Sequence, residues 1–179
     1  RHRSGEGCIP RIPAALVSVS DGWGTMTNNT NALAFVEKCK TLRELKNIID
    51  NAQAQLAVGK DVATAQKVHD AALGQYWEMS AAKHGAGAAI DQALWTALHA
   101  YEYLKGQERG KTSRATYLRR KISQTEIVTA VSGSVLKGGK TSGLQALRDM
   151  GRLDASFEAV VVKYADSFAP EVVAAAKRT

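Results

Sequence analysis

Apolar residues recur three and four positions apart from Leu33 to Tyr164, broken only by short polar or glycine-bearing stretches. That spacing places them on one face of successive helices. No proline occurs between Ala14 and Ala169, and Ala, Leu, Lys, Glu and Gln are frequent, so nothing in this span breaks a helix outright. Polar capping residues divide the pattern. Asn31 is expected to cap a first helix carrying Leu33, Phe35 and Val36. Thr41-Leu42-Arg43-Glu44 reads as a capping box opening a second, with Leu42, Leu45, Ile48, Ile49, Ala52 and Leu56 on one face and Gly59 at its end. Asp61 opens a third, with Val62, Ala65, Val68, Ala72, Leu73 and Tyr76 in one stripe, running towards Lys83.

The span 88–105 is the most apolar segment and is expected to be the central helix. Gly106 and Gly110 bracket a break, after which Thr112 or Ser113 caps a basic helix ending near Ile122. Ser123-Gln124-Thr125-Glu126 reads as a second capping box, leading into Ile127, Val128, Val131 and Val135. A short helix with Leu144, Leu147 and Met150 stops at Gly151. Asp154 caps the next, and Pro170 suits the first turn of the last. Two β-branched runs, 127–131 and 159–162, fit a strand by composition, but Phe157, Val160, Val161 and Tyr164 keep the helical period.

The reading is therefore an all-α fold, a compact orthogonal or bundle-like array of about seven to nine short helices. Residues 26–179 form a single domain, and residues 1–25, with Pro10, Pro13 and four glycines, form an irregular N-terminal extension. Met26 is read as the natural first residue, so deleting 1–25 should leave the melting temperature unchanged. The core is expected from Leu45, Ile49, Val68, Leu73, Ile90, Leu94, Leu98, Leu118, Val131, Leu147, Phe157 and Val161.

Composition agrees with this picture. At 179 residues, with 45% hydrophobic and 23% charged, the chain can bury a core without disulfides or metal. Its two cysteines, Cys8 and Cys39, form no C-x-x-C pair and have no histidine at ligand spacing, so no disulfide framework, metal site or cofactor is expected. No run reaches the roughly 18 apolar residues of a membrane span. The apolar run 12–19 is interrupted by Pro13 and lacks a cleavage context. The expected location is cytoplasmic, away from membrane.

Charge sharpens the functional reading. The net charge is +7, and the stretch 105–121 holds seven basic residues against Glu108 alone, which leaves the rest of the chain almost neutral. A neutral scaffold carrying one basic segment points to an anionic partner. Gly-Lys-Thr-Ser occurs at 110–113 and at 139–142, yet neither is a phosphate-binding loop. Gly106 precedes Gly110 by one residue too few, and Gly133 precedes Gly139 by one too many, for the amides to wrap a phosphate. The helix after the basic segment offers few base-reading side chains, so a helix-turn-helix reader is not expected.

The expected function is nucleic-acid binding through phosphate, by Lys105, Arg109, Lys111, Arg114, Tyr117, Arg119, Arg120 and Lys121. Neutralising about four to six phosphates implies a log-affinity against log-salt slope of roughly −3.6 to −5.4 on duplex DNA. The alternative is a protein-interaction module, a homo-oligomer or an adaptor for an acidic protein, with Tyr76, Trp77, Trp95, His99, Glu102 and Tyr103 as its interface or pocket. A His99–Glu102 acid-base pair ranks third. No nucleophile has a recognisable setting, so no catalytic residue is nominated. His69, beside Asp70, reads as a surface residue.

Overall fold

The structure is a computed structural model and describes residues 29–85, 87–138 and 142–179. The extension 1–25, Met26, Cys8 and the second Gly-Lys-Thr-Ser run as far as Thr141 lie outside the described residues. Those described form nine α-helices and no strand: α1 (Asn29–Lys38), α2 (Leu42–Ala57), α3 (Val62–Ala82), α4 (Ala89–Arg109), α5 (Thr116–Gln124), α6 (Ile127–Leu136), α7 (Ser142–Asp149), α8 (Phe157–Lys163) and α9 (Pro170–Lys177). Short 3-10 turns at Leu153–Ala155 and Ala165–Ser167 flank α8. Both β-branched runs are helical, because their apolar residues meet other helices at the helical period.

Several helix ends lie where the side chains place them. The Thr41 hydroxyl accepts from the Glu44 amide at 3.2 Å while the Glu44 carboxylate accepts from the Thr41 amide at 3.0 Å, a complete capping box. Pro170 occupies the first turn of α9. Other ends differ from expectation. Asn31 lies inside α1. Asp61 makes no side-chain cap and sits at φ 43°, a conformation it adopts to turn the chain tightly between α2 and α3. Asp154 does not cap α8, because Arg152 holds its carboxylate at 3.0 Å; Ser156 does so instead, accepting from the Ala159 amide at 3.1 Å.

Helix α4 is central because it feeds three apolar clusters. Ala100 and Leu104 join Val36, Leu45, Ile49, Leu73, Trp77 and Leu147 between α1, α2, α3 and α7. Leu94 and Ala97 join Ile127, Val131, Val161, Phe168 and Val172 between α6, α8 and α9. Leu98 meets Leu118 and Ala130 under α5. Each fully buried leucine or isoleucine among these contributes about 1.5–3 kcal/mol relative to exposure. Of the expected core, Ile90 and Phe157 are only half-buried, at the edges of their clusters.

His69, expected at the surface, is buried. Its ring lies 3.3 Å from both the Gln53 amide nitrogen and the Asp70 carboxylate, which give it polar partners under α2. Trp77 is fully buried, with the Arg152 guanidinium 5.0 Å from its ring centroid. Arg152 also donates to the Asp70 carbonyl at 3.0 Å, so it ties the turn after α7 to α3. No described helix is long and apolar enough to cross a membrane.

Candidate nucleic-acid interface

The basic stretch does not fold as one helix. Its first part completes α4, which runs through Gly106 to Arg109, a turn beyond the expected end. Gly110 then closes α4 at φ 62°, a left-handed cap that other residues adopt only with strain. The chain doubles back so closely that a Cβ at position 106 would lie 3.2 Å from the Lys111 carbonyl oxygen. Residues 112–115 carry no regular secondary structure, and α5 begins only at Thr116.

Neither Thr112 nor Ser113 caps α5. The start is set by Glu102, about two turns before the end of α4, whose Oε1 accepts from the Ala115 amide at 2.8 Å. The same oxygen accepts from Arg119 Nε at 2.6 Å, and Oε2 accepts from Arg119 Nη2 at 2.7 Å. One carboxylate on α4 thus satisfies a helix-start amide and takes a two-point grip on α5. Burial pushes the Glu102 carboxyl up, but the Arg119 guanidinium and the Ala115 amide outweigh it and hold it below the usual range. The Glu102 hydrogen bond raises Arg119 in turn.

The second capping box is also absent. Ser123 lies within α5 and its hydroxyl donates to the Arg120 carbonyl at 2.7 Å, while the Thr125 hydroxyl donates to the Lys121 carbonyl at 3.0 Å. These polar residues close α5 instead of opening α6, which starts at Ile127 without a side-chain cap.

The basic residues therefore part company. Arg119 is bound to Glu102, and Lys105 pairs with Glu108 at 2.9 Å. Among the described residues no carboxylate lies within 4.0 Å of the charged groups of Arg109, Lys111, Arg114, Arg120 or Lys121. The Lys121 side chain lies across Gly133 of α6. Tyr117 projects from the first turn of α5, 62% exposed, with Lys137 Nζ from the end of α6 at 5.7 Å from its ring centroid. Lys137 is a member of this surface that position in the sequence did not suggest, because it lies twenty positions after Tyr117 and only the α5–α6 packing brings the two together. Below Tyr117 opens a cleft of about 310 Å³, walled by Tyr101, Leu118, Leu144 and Phe157 with Thr116 and Glu158 among its polar groups.

The aromatic and titratable set divides as well. Tyr76, Trp77 and Tyr103 pack together inside the first cluster, with ring centroids 6.2 Å apart in the Tyr76–Tyr103 and Trp77–Tyr103 pairs. Trp95, His99 and Glu102 share the other side of α4. His84, on the connection from α3, stacks on Trp95 with centroids 3.7 Å apart and planes at 3°. Its Nε2 lies 3.1 Å from His99 Nε2, and His99 Nδ1 lies 3.8 Å from Glu102 Oε2. Burial, aided by the Arg119 charge, lowers His99 to about 4 and lowers His84 too. His99 and Glu102 do meet, but both carboxylate oxygens already serve Arg119 and Ala115, which leaves Glu102 a poor proton acceptor. Among the described residues no group of three or more His, Cys, Asp or Glu side chains is placed to hold a metal.

Compared with known proteins, the chain matches no family model, no curated sequence and no solved structure.

Proposed function

We propose that the protein binds nucleic acid, chiefly through phosphate, on the surface made by residues 111–115, α5 and the end of α6. The observation that carries this reading is the exposed Tyr117 ring, with Lys137 beside it and Arg114, Arg120 and Lys121 on the same short helix and its approach. Tyr117 and Lys121 are four residues apart on α5 and share one side of it, and Arg114 is exposed on the chain that enters the helix. Cations without carboxylate partners supply phosphate contacts, and an open aromatic face supplies stacking for an unpaired base; together these are the means by which single strands are held. Arg119 and Lys105 drop out of the expected contact set, because each is engaged with a carboxylate of its own chain.

Fluorescence anisotropy of labelled single-stranded and duplex oligonucleotides over a range of salt tests the proposal. Contact with about four phosphates gives a log–log slope of roughly −2.8 on a single strand and −3.6 on a duplex. The variant R114Q/R120Q/K121Q/K137Q should flatten that slope while leaving the fold intact. Binding and slope equal to those of the unaltered chain would sink the proposal. The competing interaction-module reading has less support, since Trp77 is fully buried and Tyr76 and Tyr103 pack against the core. Light scattering with and without DNA separates the two.

A further inference from the structure

We infer that His84 and His99 form a two-point site for a divalent late first-row metal ion, with water completing its coordination. The inference is independent of the nucleic-acid reading and rests on how the rings face each other. Their Nε2 atoms are 3.1 Å apart, one from the connection after α3 and one from the middle of α4. In that contact one nitrogen donates and the other offers a lone pair, so a tautomer shift that moves the donated proton to Nδ1 of the same ring leaves two lone pairs facing one point. Metal–nitrogen bonds of about 2.0–2.1 Å hold two nitrogens about 2.8–3.0 Å apart at a right angle and about 3.3–3.4 Å apart at a tetrahedral angle, and the observed 3.1 Å lies between the two.

The surroundings fix both rings in this pose. His99 turns its Nδ1 towards Glu102 Oε2, 3.8 Å away, so the carboxylate charge favours the tautomer with its proton on Nδ1 and its lone pair on Nε2. His84 lies flat against Trp95, which holds the plane of its ring. His84 is exposed, which gives the ion a route in and leaves room for water. Two cations oppose binding, Arg119, which Glu102 offsets in part, and Lys83. Two imidazoles suit copper, nickel and zinc, and Cu2+ ranks highest among them.

The test is calorimetric titration of the full chain with Cu2+, alongside H84A, H99Q, H2A and H69A, with electron paramagnetic resonance of the copper-loaded protein. Loss of an outer carboxylate alone costs about 10–100-fold in metal affinity, so loss of a ligating ring should cost at least about tenfold. The expected result is one saturable equivalent, weakened at least about tenfold by H84A and by H99Q, unchanged by H2A and H69A, and a spectrum with two imidazole nitrogens. Absence of saturable binding, equal affinity in H84A, or loss of the site in H2A would overturn the inference. If H84A changes the far-ultraviolet circular dichroism, the spectrum of the unaltered protein decides: two imidazole nitrogens sustain the site and none ends it.

Discussion

Arg119 and Arg120 are neighbours on α5, yet they belong to different regions of the molecule. Arg119 points inward, spans the gap to α4 and donates from Nε and Nη2 to a carboxylate that is 8% exposed. Arg120 points outward, exposed, with no carboxylate within 4.0 Å among the described residues. A single residue step along the helix thus separates a charge that holds the fold together from a charge available to something else. The lesson is that a run of basic residues is not one functional unit. A carboxylate on another helix selects which member becomes structure.

Four outcomes would sharpen or break that comparison. The largest concerns the inner arginine: R119M leaves Glu102 buried without its partner and should cost about 3–5 kcal/mol in urea denaturation, whereas R120A should stay within about 0.5 kcal/mol. Equal effects would erase the distinction. Next, Y117A should weaken single-strand binding by about 1–3 kcal/mol in anisotropy, with its denaturation midpoint unchanged.

Third, the inner region should respond to pH through His99. Its folded pKa is about 4 against an ordinary 6.5, so between those values the unfolded chain binds a proton that the folded chain refuses. Stability is therefore full above about pH 6.5 and falls as pH drops towards 4. Discounted for solvent screening, the loss is about 1–2 kcal/mol, measured in the presence of a chelator, and H99Q should remove it. The Glu102 contribution, held below its ordinary range, persists through most of that window. The smallest effect belongs to the outer arginine: R120Q should reduce the salt slope on duplex DNA by about 0.9, one phosphate contact, and R119K should not be its equal, since it disturbs the fold first.

Much of the fold was legible because it rests on local signals. Thr41 and Glu44 cap α2 within four residues of each other, and the apolar period of α4 marked it as central before any contact was visible. Leu45, Leu73, Leu94, Leu98 and Val161 are fully buried, as their spacing implied. What stayed hidden depends on partners distant in sequence. Thr112 and Ser113 have the right chemistry for a cap, but Glu102 reached the Ala115 amide first. His69 lies beside a carboxylate, which suggests a surface position, and only the packing of α2 over α3 buries it.

The candidate surface was legible in part. Arg114, Tyr117, Arg120 and Lys121 were marked by charge and spacing, whereas the withdrawal of Arg119 and the arrival of Lys137 required the α4–α5 and α5–α6 contacts. The facing histidines were invisible for the same reason. Fifteen residues separate His84 from His99, and no short motif relates them.

The cap that Glu102 provides has a consequence for how the chain opens and closes. A helix of nine residues whose starting amide is satisfied from elsewhere has little tendency to form alone. Helix α5 then acquires its first turn only once α4 is in place, and it loses that turn whenever the Glu102 grip is released. In hydrogen exchange, the early amides of α5 and the last turns of α4 should open together as one cooperative unit, distinct from the α2–α3 pair.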